Sequence, residues 1–238
     1  MIYGWLLFDA DGTLFDYDRA EATALQRTFE EMGHGFEPGY ATAYRQINGQ
    51  IWLDFEQGRI SQERLRTRRF ELLFEAVGAQ LPPEVFSVAY LRHLAQATYL
   101  IDGAEEVIRA LHGRVGLMLI TNGLHEVQRP RYAASALNGY FAGLVISEEV
   151  GAAKPDPLIF DAAFRRMGQP RREEVLMVGD SLTTDMQGGS DYGLDTCWYN
   201  PGQRPLDPDV PIRYEIQDLR QLLRLVEPVQ APRDRAEG

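Results

Sequence analysis

Leu6-Leu7-Phe8-Asp9-Ala10-Asp11-Gly12-Thr13-Leu14 is the stretch on which the reading of this chain depends. Trp5 to Phe8 is a continuous apolar run, the pattern of a strand whose sheet is covered on both faces. The run stops in two carboxylates at alternate positions, Asp9 and Asp11. Burying such charge without a partner costs several kcal/mol. The pair therefore calls for a cation, and oxygen-only ligands suit Mg2+. Gly12 lets the chain turn where the strand ends. Taken alone, the same residues also fit an ordinary Asp-Gly turn after a strand.

Three later stretches decide between these readings. Leu117-Met118-Leu119-Ile120 is a second apolar run and ends in Thr121-Asn122-Gly123. Gly151-Ala152-Ala153-Lys154-Pro155 places a lysine in a loop of small residues, and Val175-Leu176-Met177-Val178 leads into Gly179-Asp180 and then Asp185. The ordered set Asp-x-Asp-x-Thr, strand-Thr-Asn, Lys-Pro and Gly-Asp-x-x-x-x-Asp resembles the four motifs of the haloacid dehalogenase-like (HAD) hydrolase superfamily. The resemblance runs from about Tyr3 to Asn200.

With 238 residues, 45% hydrophobic and 25% charged, the chain has the composition of a soluble globular protein able to bury a substantial core. No apolar run reaches the length of a membrane span, and the first residues lack a basic leader and cleavage site, so no membrane and a cytoplasmic location are expected. The net charge of −11 argues against nucleic acid as a partner. A small phosphorylated metabolite fits, because a local cation and helix N-termini can act against a distant negative field. Cys197 is the only cysteine, which excludes an internal disulfide, and Asp195 to Tyr199 reads as a core strand that buries it. Lys154 is the only lysine among 24 Lys and Arg residues. Codon bias would account for the arginines, which makes the one ammonium group, in that one loop, the more informative.

Past Leu14 the apolar period becomes helical. Asp18 is the expected cap of a first helix that Gly33 ends, and three more helices follow through Leu94 with no strand pattern between them. From Leu100 strands and helices alternate, the signature of a parallel sheet covered on both faces. Asp102 is the expected cap of the helix to Leu111, Thr184 to Tyr192 reads as a short helix, and Tyr214 to Ile216 as an edge strand. Residues 1–15 and 100–226 thus form an α/β core, 16–99 an inserted all-helical domain, and 227–238 a disordered tail.

The resemblance implies a doubly wound, Rossmann-like parallel sheet with the helical insert as a cap. Asp9, Thr121 and Asp180 then lie at C-terminal strand ends, where such sheets bind ligands. It implies that Asp9 is the nucleophile that becomes an aspartyl-phosphate. Asp11 protonates the leaving oxygen and later deprotonates the attacking water. Mg2+ is held by Asp9, the backbone carbonyl of Asp11 and Asp180, with Asp185 steadying a bound water. Lys154 neutralises charge, Thr121 with the N–H groups of Asn122 and Gly123 cradles the phosphate, and Thr13 orders the first loop. A helix-start carboxylate for Asp185 and a self-bonded strand-end hydroxyl for Thr121 are the structural alternatives.

A Mg2+-dependent phosphomonoesterase is the expected activity. Asp11 counts against a dehalogenase and the lone lysine against a phosphonatase. A phosphomutase, or a phosphatase for a sugar phosphate or phosphoglycolate, stays open. The set Asp9, Asp11, Lys154 and Asp180 counts against a non-catalytic protein, because clustering these residues without a metal would be electrostatically unfavourable. Trp52 to Gly58, Val145 to Gly151 and Asp195 to Asn200 resemble the bacterial 5'-nucleotidases of the superfamily that act on pyrimidine and non-standard nucleoside monophosphates. A nucleoside 5'-monophosphate is therefore the expected substrate. Asn48, Trp52, Phe55 and Arg69 are the selectivity candidates, although Trp52 and Phe55 are also spaced to pack inside a helical domain.

Overall fold

The structure is a computed structural model and describes residues 3–226; the tail 227–238, expected to be disordered, lies outside the described residues. Its strands are β1 (Trp5–Phe8), β2 (Gly116–Thr121), β3 (Gly143–Ile146), β4 (Val175–Gly179), β5 (Asp195–Tyr199) and β6 (Tyr214–Ile216). The helices in chain order are α1 (Tyr17–Glu31), α2 (Pro38–Glu56), α3 (Gln62–Val77), α4 (Pro83–Gln96), α5 (Ala104–Leu111), α6 (His125–Ala134), α7 (Ser147–Val150), α8 (Pro157–Met167), α9 (Gly188–Asp191) and α10 (Leu222–Val226).

The six strands make one sheet in the order β3-β2-β1-β4-β5-β6, parallel throughout. Strand order reverses direction at β1, which makes the sheet doubly wound and places the switch point at its centre. The central strands are buried on both faces: Leu6, Leu7 and Phe8 of β1 and Val175 to Val178 of β4 are all fully covered. Their unbroken apolar character follows from that position. Phe8 is in register with Leu119 of β2 and Val178 of β4. Asp9, Thr121 and Asp180 consequently emerge at one carboxyl edge, within a residue of each other in height. Cys197 is buried in β5, and burial pushes its thiol up to about 12.

The chain divides into two compact units. One is the sheet unit, comprising residues up to Phe15, Leu100–Gly123 and Ala136 onward; the other is the helical unit, Asp16–Tyr99 with Leu124–Ser135. The helical unit has its own core, in which Leu25, Phe29, Tyr44, Phe70, Leu73 and Phe86 pack together. Residues 124–135, assigned from sequence to the α/β core, belong to this unit. Leu124 and Val127 join its apolar cluster, and Arg66 of α3 pairs with Glu126 of α6 at 2.9 Å. Alternation of strand and helix does not reveal which layer a helix covers; its apolar face does.

Several helix ends differ from the sequence expectation. Asp16, not Asp18, caps α1 by accepting the Arg19 N–H at 3.0 Å; Asp18 lies in the first turn. Gly103 starts α5 in a left-handed conformation, while Asp102 is drawn into an ion pair with Arg220 at 3.0 Å. The stretch after β4 opens as a π turn, Leu182–Gln187, in which the Met186 N–H reaches the Ser181 carbonyl at 3.1 Å; α9 follows it. Such wide turns recur at functional sites. Ser61 caps α3 and Gly78 ends it in a left-handed turn, as the sequence pattern indicates.

Candidate active site

Asp9 is the first residue beyond β1, and its backbone N–H donates to the Val178 carbonyl at 2.9 Å. Its buried carboxylate accepts from Lys154 Nζ at 2.6 Å on Oδ1 and from Thr13 Oγ1 at 3.2 Å on Oδ2. Both carboxylate oxygens are thus oriented by the protein. Lys154, 2% exposed, also donates to Asp185 Oδ1 at 2.6 Å and to the Ile120 carbonyl at 3.3 Å. Its three ammonium hydrogens are all engaged. Asp185, which the resemblance implies steadies a metal-bound water, is fully buried and tied to Lys154. Its second oxygen accepts the Ser181 N–H at 3.1 Å. The π turn is what brings it back over β4.

Two glycines make room for these acids. A methyl group on Gly179 would fall on the Asp185 carboxylate. Gly12 has φ +83°, and a Cβ there would lie 2.9 Å from the Asp180 carboxylate. Gly12 is therefore required by space as well as by the turn, and neither steric need can be read from the sequence.

Carboxylate oxygens of Asp9, Asp180 and Asp185 all lie within 4.8 Å of one another. Three carboxylates and one ammonium leave a formal excess of two negative charges in a largely buried space, and the donors are hard oxygens. This set fits a divalent cation such as Mg2+. Burial pushes the Asp9 carboxyl above its usual range against the pull of Lys154, while Asp185 and Asp180 push the same way as burial. Burial and the Asp185 charge bring Asp180 up to about 7, with Arg204 and Lys154 acting against them. Burial pulls Lys154 down, but Asp185 and Asp9 outweigh it and hold the ammonium above its ordinary value.

The other sequence-selected residues fall into two groups. Asp11 is half-buried beside the cluster, its backbone bridged to Phe15. Its expected contribution is through the carbonyl and a proton, and its carboxylate is not in the acid cluster. Thr121 is buried at the end of β2, and its Oγ1 accepts the Gly123 N–H at 3.1 Å. That is the self-bonded arrangement, and it engages one of the N–H groups assigned to the phosphate. Asn122 has a use that sequence reasoning missed: its side chain donates to the Lys154 carbonyl at 2.9 Å and accepts the Lys154 N–H at 2.7 Å. It clamps the lysine loop onto the end of β2.

Asn48, Trp52, Phe55 and Arg69 all belong to the helical unit. Arg69 donates to Asn48 Oδ1 at 3.1 Å, and both are buried. Trp52 and Phe55 meet edge to face at 5.9 Å and pack, half-buried, against the helical core.

The chain is similar to known proteins over most of its length. The sequence signature of the haloacid dehalogenase-like hydrolases matches residues 3–193. The pyrimidine 5'-nucleotidase YjjG of Escherichia coli is 35% identical over 95% of this chain and 99% of its own. The pyrimidine 5'-nucleotidase PynA of Streptococcus pneumoniae is 36% identical over 94% of each. The crystal structure of the HAD-hydrolase YfnB of Bacillus subtilis, bound to magnesium, superposes with a TM-score of 0.90 at 35% identity, covering 96% of this chain and all of that one. The chain belongs to the haloacid dehalogenase-like hydrolases.

Proposed function

We propose that this hydrolase is a Mg2+-dependent phosphomonoesterase working through an aspartyl-phosphate on Asp9, with a pyrimidine nucleoside 5'-monophosphate as its substrate. The observation that carries the chemistry is the buried Lys154 bridge at 2.6 Å to both Asp9 and Asp185, inside an acid cluster with two negative charges to spare. Lys154 and Thr13 aim the Asp9 carboxylate, so that one oxygen can attack phosphorus as the ester P–O bond breaks. Asp11 gives its proton to the leaving oxygen. It then takes one from the water that attacks the acyl-phosphate, which frees inorganic phosphate and regenerates Asp9. Lys154, kept charged by its two carboxylates, offsets negative charge on the transferring oxygens. Asp9, Asp180 and the Asp11 carbonyl would hold Mg2+, which supplies further neutralisation of the phosphoryl group.

The substrate class is supported by the two relatives named as pyrimidine 5'-nucleotidases, because both match the helical unit as well as the sheet unit. The test is a panel of phosphate monoesters (UMP, dTMP, dUMP, AMP, phosphoglycolate, hexose phosphates and p-nitrophenyl phosphate) with Mg2+ or with EDTA. Pyrimidine nucleotides should lead in kcat/KM, and EDTA should abolish turnover. Equal rates with and without EDTA would overturn the mechanism. A tenfold lead of hexose phosphates or phosphoglycolate would overturn the substrate alone.

A further inference from the structure

Past β5 the chain enters the loop between Tyr199 and Tyr214, and its one arginine before Arg213, Arg204, turns back onto the end of β4. Its terminal nitrogen donates to the Asp180 backbone carbonyl at 2.5 Å and stands 3.9 Å from the Asp180 carboxylate. Trp198 Nε1 donates to the same carbonyl at 3.0 Å, and the guanidinium lies 5.4 Å from the Trp198 ring centroid. The position is built from below by Asn200, which is fully buried. Asn200 Oδ1 accepts the Arg204 N–H at 2.9 Å, and its Nδ2 donates to the Arg204 carbonyl at 3.0 Å and to Glu215 Oε1 at 2.7 Å. An exposed arginine normally gains little from one contact. Here the backbone is clamped on both sides, so that the side chain is delivered to one carbonyl.

We propose that Arg204 is a positioning residue: held by Asn200 and Trp198, it fixes the Asp180 backbone and so aims the Asp180 carboxylate at the divalent cation. The inference rests on the reading of Asp180 as a cation ligand, and it concerns residues outside the acid cluster. A second role of the same side chain would have the opposite sign. As a bare positive charge 3.9 Å from the Asp180 carboxylate, Arg204 weakens cation binding, and its removal would tighten it. As an aiming device it strengthens binding, and its removal would loosen it. Groups that orient metal ligands are typically worth about 10–100-fold in affinity.

The test is Mg2+ binding to the full-length protein by isothermal titration calorimetry, with melting temperature as a check on folding. It compares wild type with Arg204→Met, Arg204→Lys, Asn200→Ala and Asp180→Asn. Arg204→Met keeps most of the stem but has no donor. It should raise the Kd for Mg2+ about tenfold, with the melting temperature little changed because the side chain is half exposed. Arg204→Lys retains a donor and should restore most of the affinity. Asn200→Ala should weaken binding in the same direction as Arg204→Met, even if it also lowers the melting temperature. Unchanged or tighter binding by Arg204→Met, with Asp180→Asn severely weakened, would overturn the role of Arg204 and leave the cation site standing. Wild-type binding by Asp180→Asn would overturn the cation reading and this proposal with it.

Discussion

Lys154 in the sheet unit and Arg69 in the helical unit are both cations withdrawn from solvent, at 2% and 1% exposure. Lys154 is met by two carboxylates and a carbonyl contributed by three separate stretches of chain. Arg69 has one amide partner, Asn48, which in turn donates to Glu21 Oε2 at 2.9 Å. Its guanidinium lies 5.0 Å from the Phe70 ring centroid and 5.3 Å from that of Tyr90. Among the described residues its Nε and remaining terminal nitrogen have no hydrogen-bond partner. A compact ammonium needs opposite charge at short range, whereas a delocalised, weakly hydrated guanidinium can rest against rings. The first arrangement fixes a charge where a reaction can use it. The second places a polar group in a packed interior, and substitutions should separate the two.

The largest effect is expected at Asp9. Asp9→Asn removes the attacking oxygen but leaves Lys154 bonded to Asp185, so turnover of any phosphate ester should fall about 10⁴-fold or more while the fold persists. Steady-state kinetics with a melting curve check both halves. Activity near wild type would require another nucleophile.

At Lys154 the expected loss is smaller but touches stability as well. Lys154→Arg puts a wide planar fork where a point charge is held at 2.6 Å on two sides, and activity should drop about 10²-fold despite the retained charge. Lys154→Met strands two buried carboxylates and should cost about 3–5 kcal/mol, measured by urea unfolding. A mild effect of both would mean that the bridge is dispensable. Gly179→Ala should come next: the added methyl displaces the Asp185 carboxylate, at about 1–3 kcal/mol of stability with at least a tenfold loss of turnover. Gly179→Ala with wild-type kinetics would show that the Asp185–Lys154 bond is not needed in its present geometry.

The pH dependence of Mg2+ binding separates the units in another way. Asp180, brought up to about 7 by burial and Asp185, must be deprotonated to bind a cation. As pH falls below about 7 the proton wins, and half-saturation by Mg2+ should rise about tenfold per unit of pH. Titrations at pH 6, 7 and 8 check this, and a flat profile would mean that Asp180 is not a ligand. Glu21 of the helical unit is also raised, by burial first, but Glu21→Gln should leave this profile unmoved.

The sheet was legible because its strands are buried on both faces: unbroken runs such as Leu6 to Phe8 and Val175 to Val178 admit few other readings. The strand-end residues were legible for the same reason, since charge directly after an apolar run demands an explanation. What stayed hidden depended on contacts far apart in sequence. Asn122 clamping the Lys154 loop, and Gly179 yielding space to Asp185, are invisible until the loops meet. Competition among local acids misled the cap assignments: Asp16 and Asp18 both suit the start of α1, and Asp102 suited α5 until Arg220 drew it away. The placement of α6 in the helical unit was missed because its apolar positions declare burial but not against what.

The smallest effect should fall on Arg69, and there the comparison can be sharpened furthest. Arg69→Met keeps much of the volume between Phe70 and Tyr90 and removes a buried charge that has a single amide partner. Glu21 keeps its bond from Asn48 and an arginine neighbour, Arg45, at 3.6 Å, so the loss does not strand it as Lys154→Met strands Asp9 and Asp185. Replacing a buried ionic group by a well-packed apolar one is often neutral. The expected change in unfolding free energy is therefore within about 1 kcal/mol, and kcat/KM for p-nitrophenyl phosphate should stay within about twofold. Nucleotides add the decisive measurement. If Arg69 only packs, the ratio of kcat/KM for UMP to that for p-nitrophenyl phosphate is unchanged in Arg69→Met. A tenfold fall in that ratio, about 1.4 kcal/mol of transition-state binding, would show that its remaining N–H donors read the substrate, and the helical unit's cation would then be as functional as Lys154.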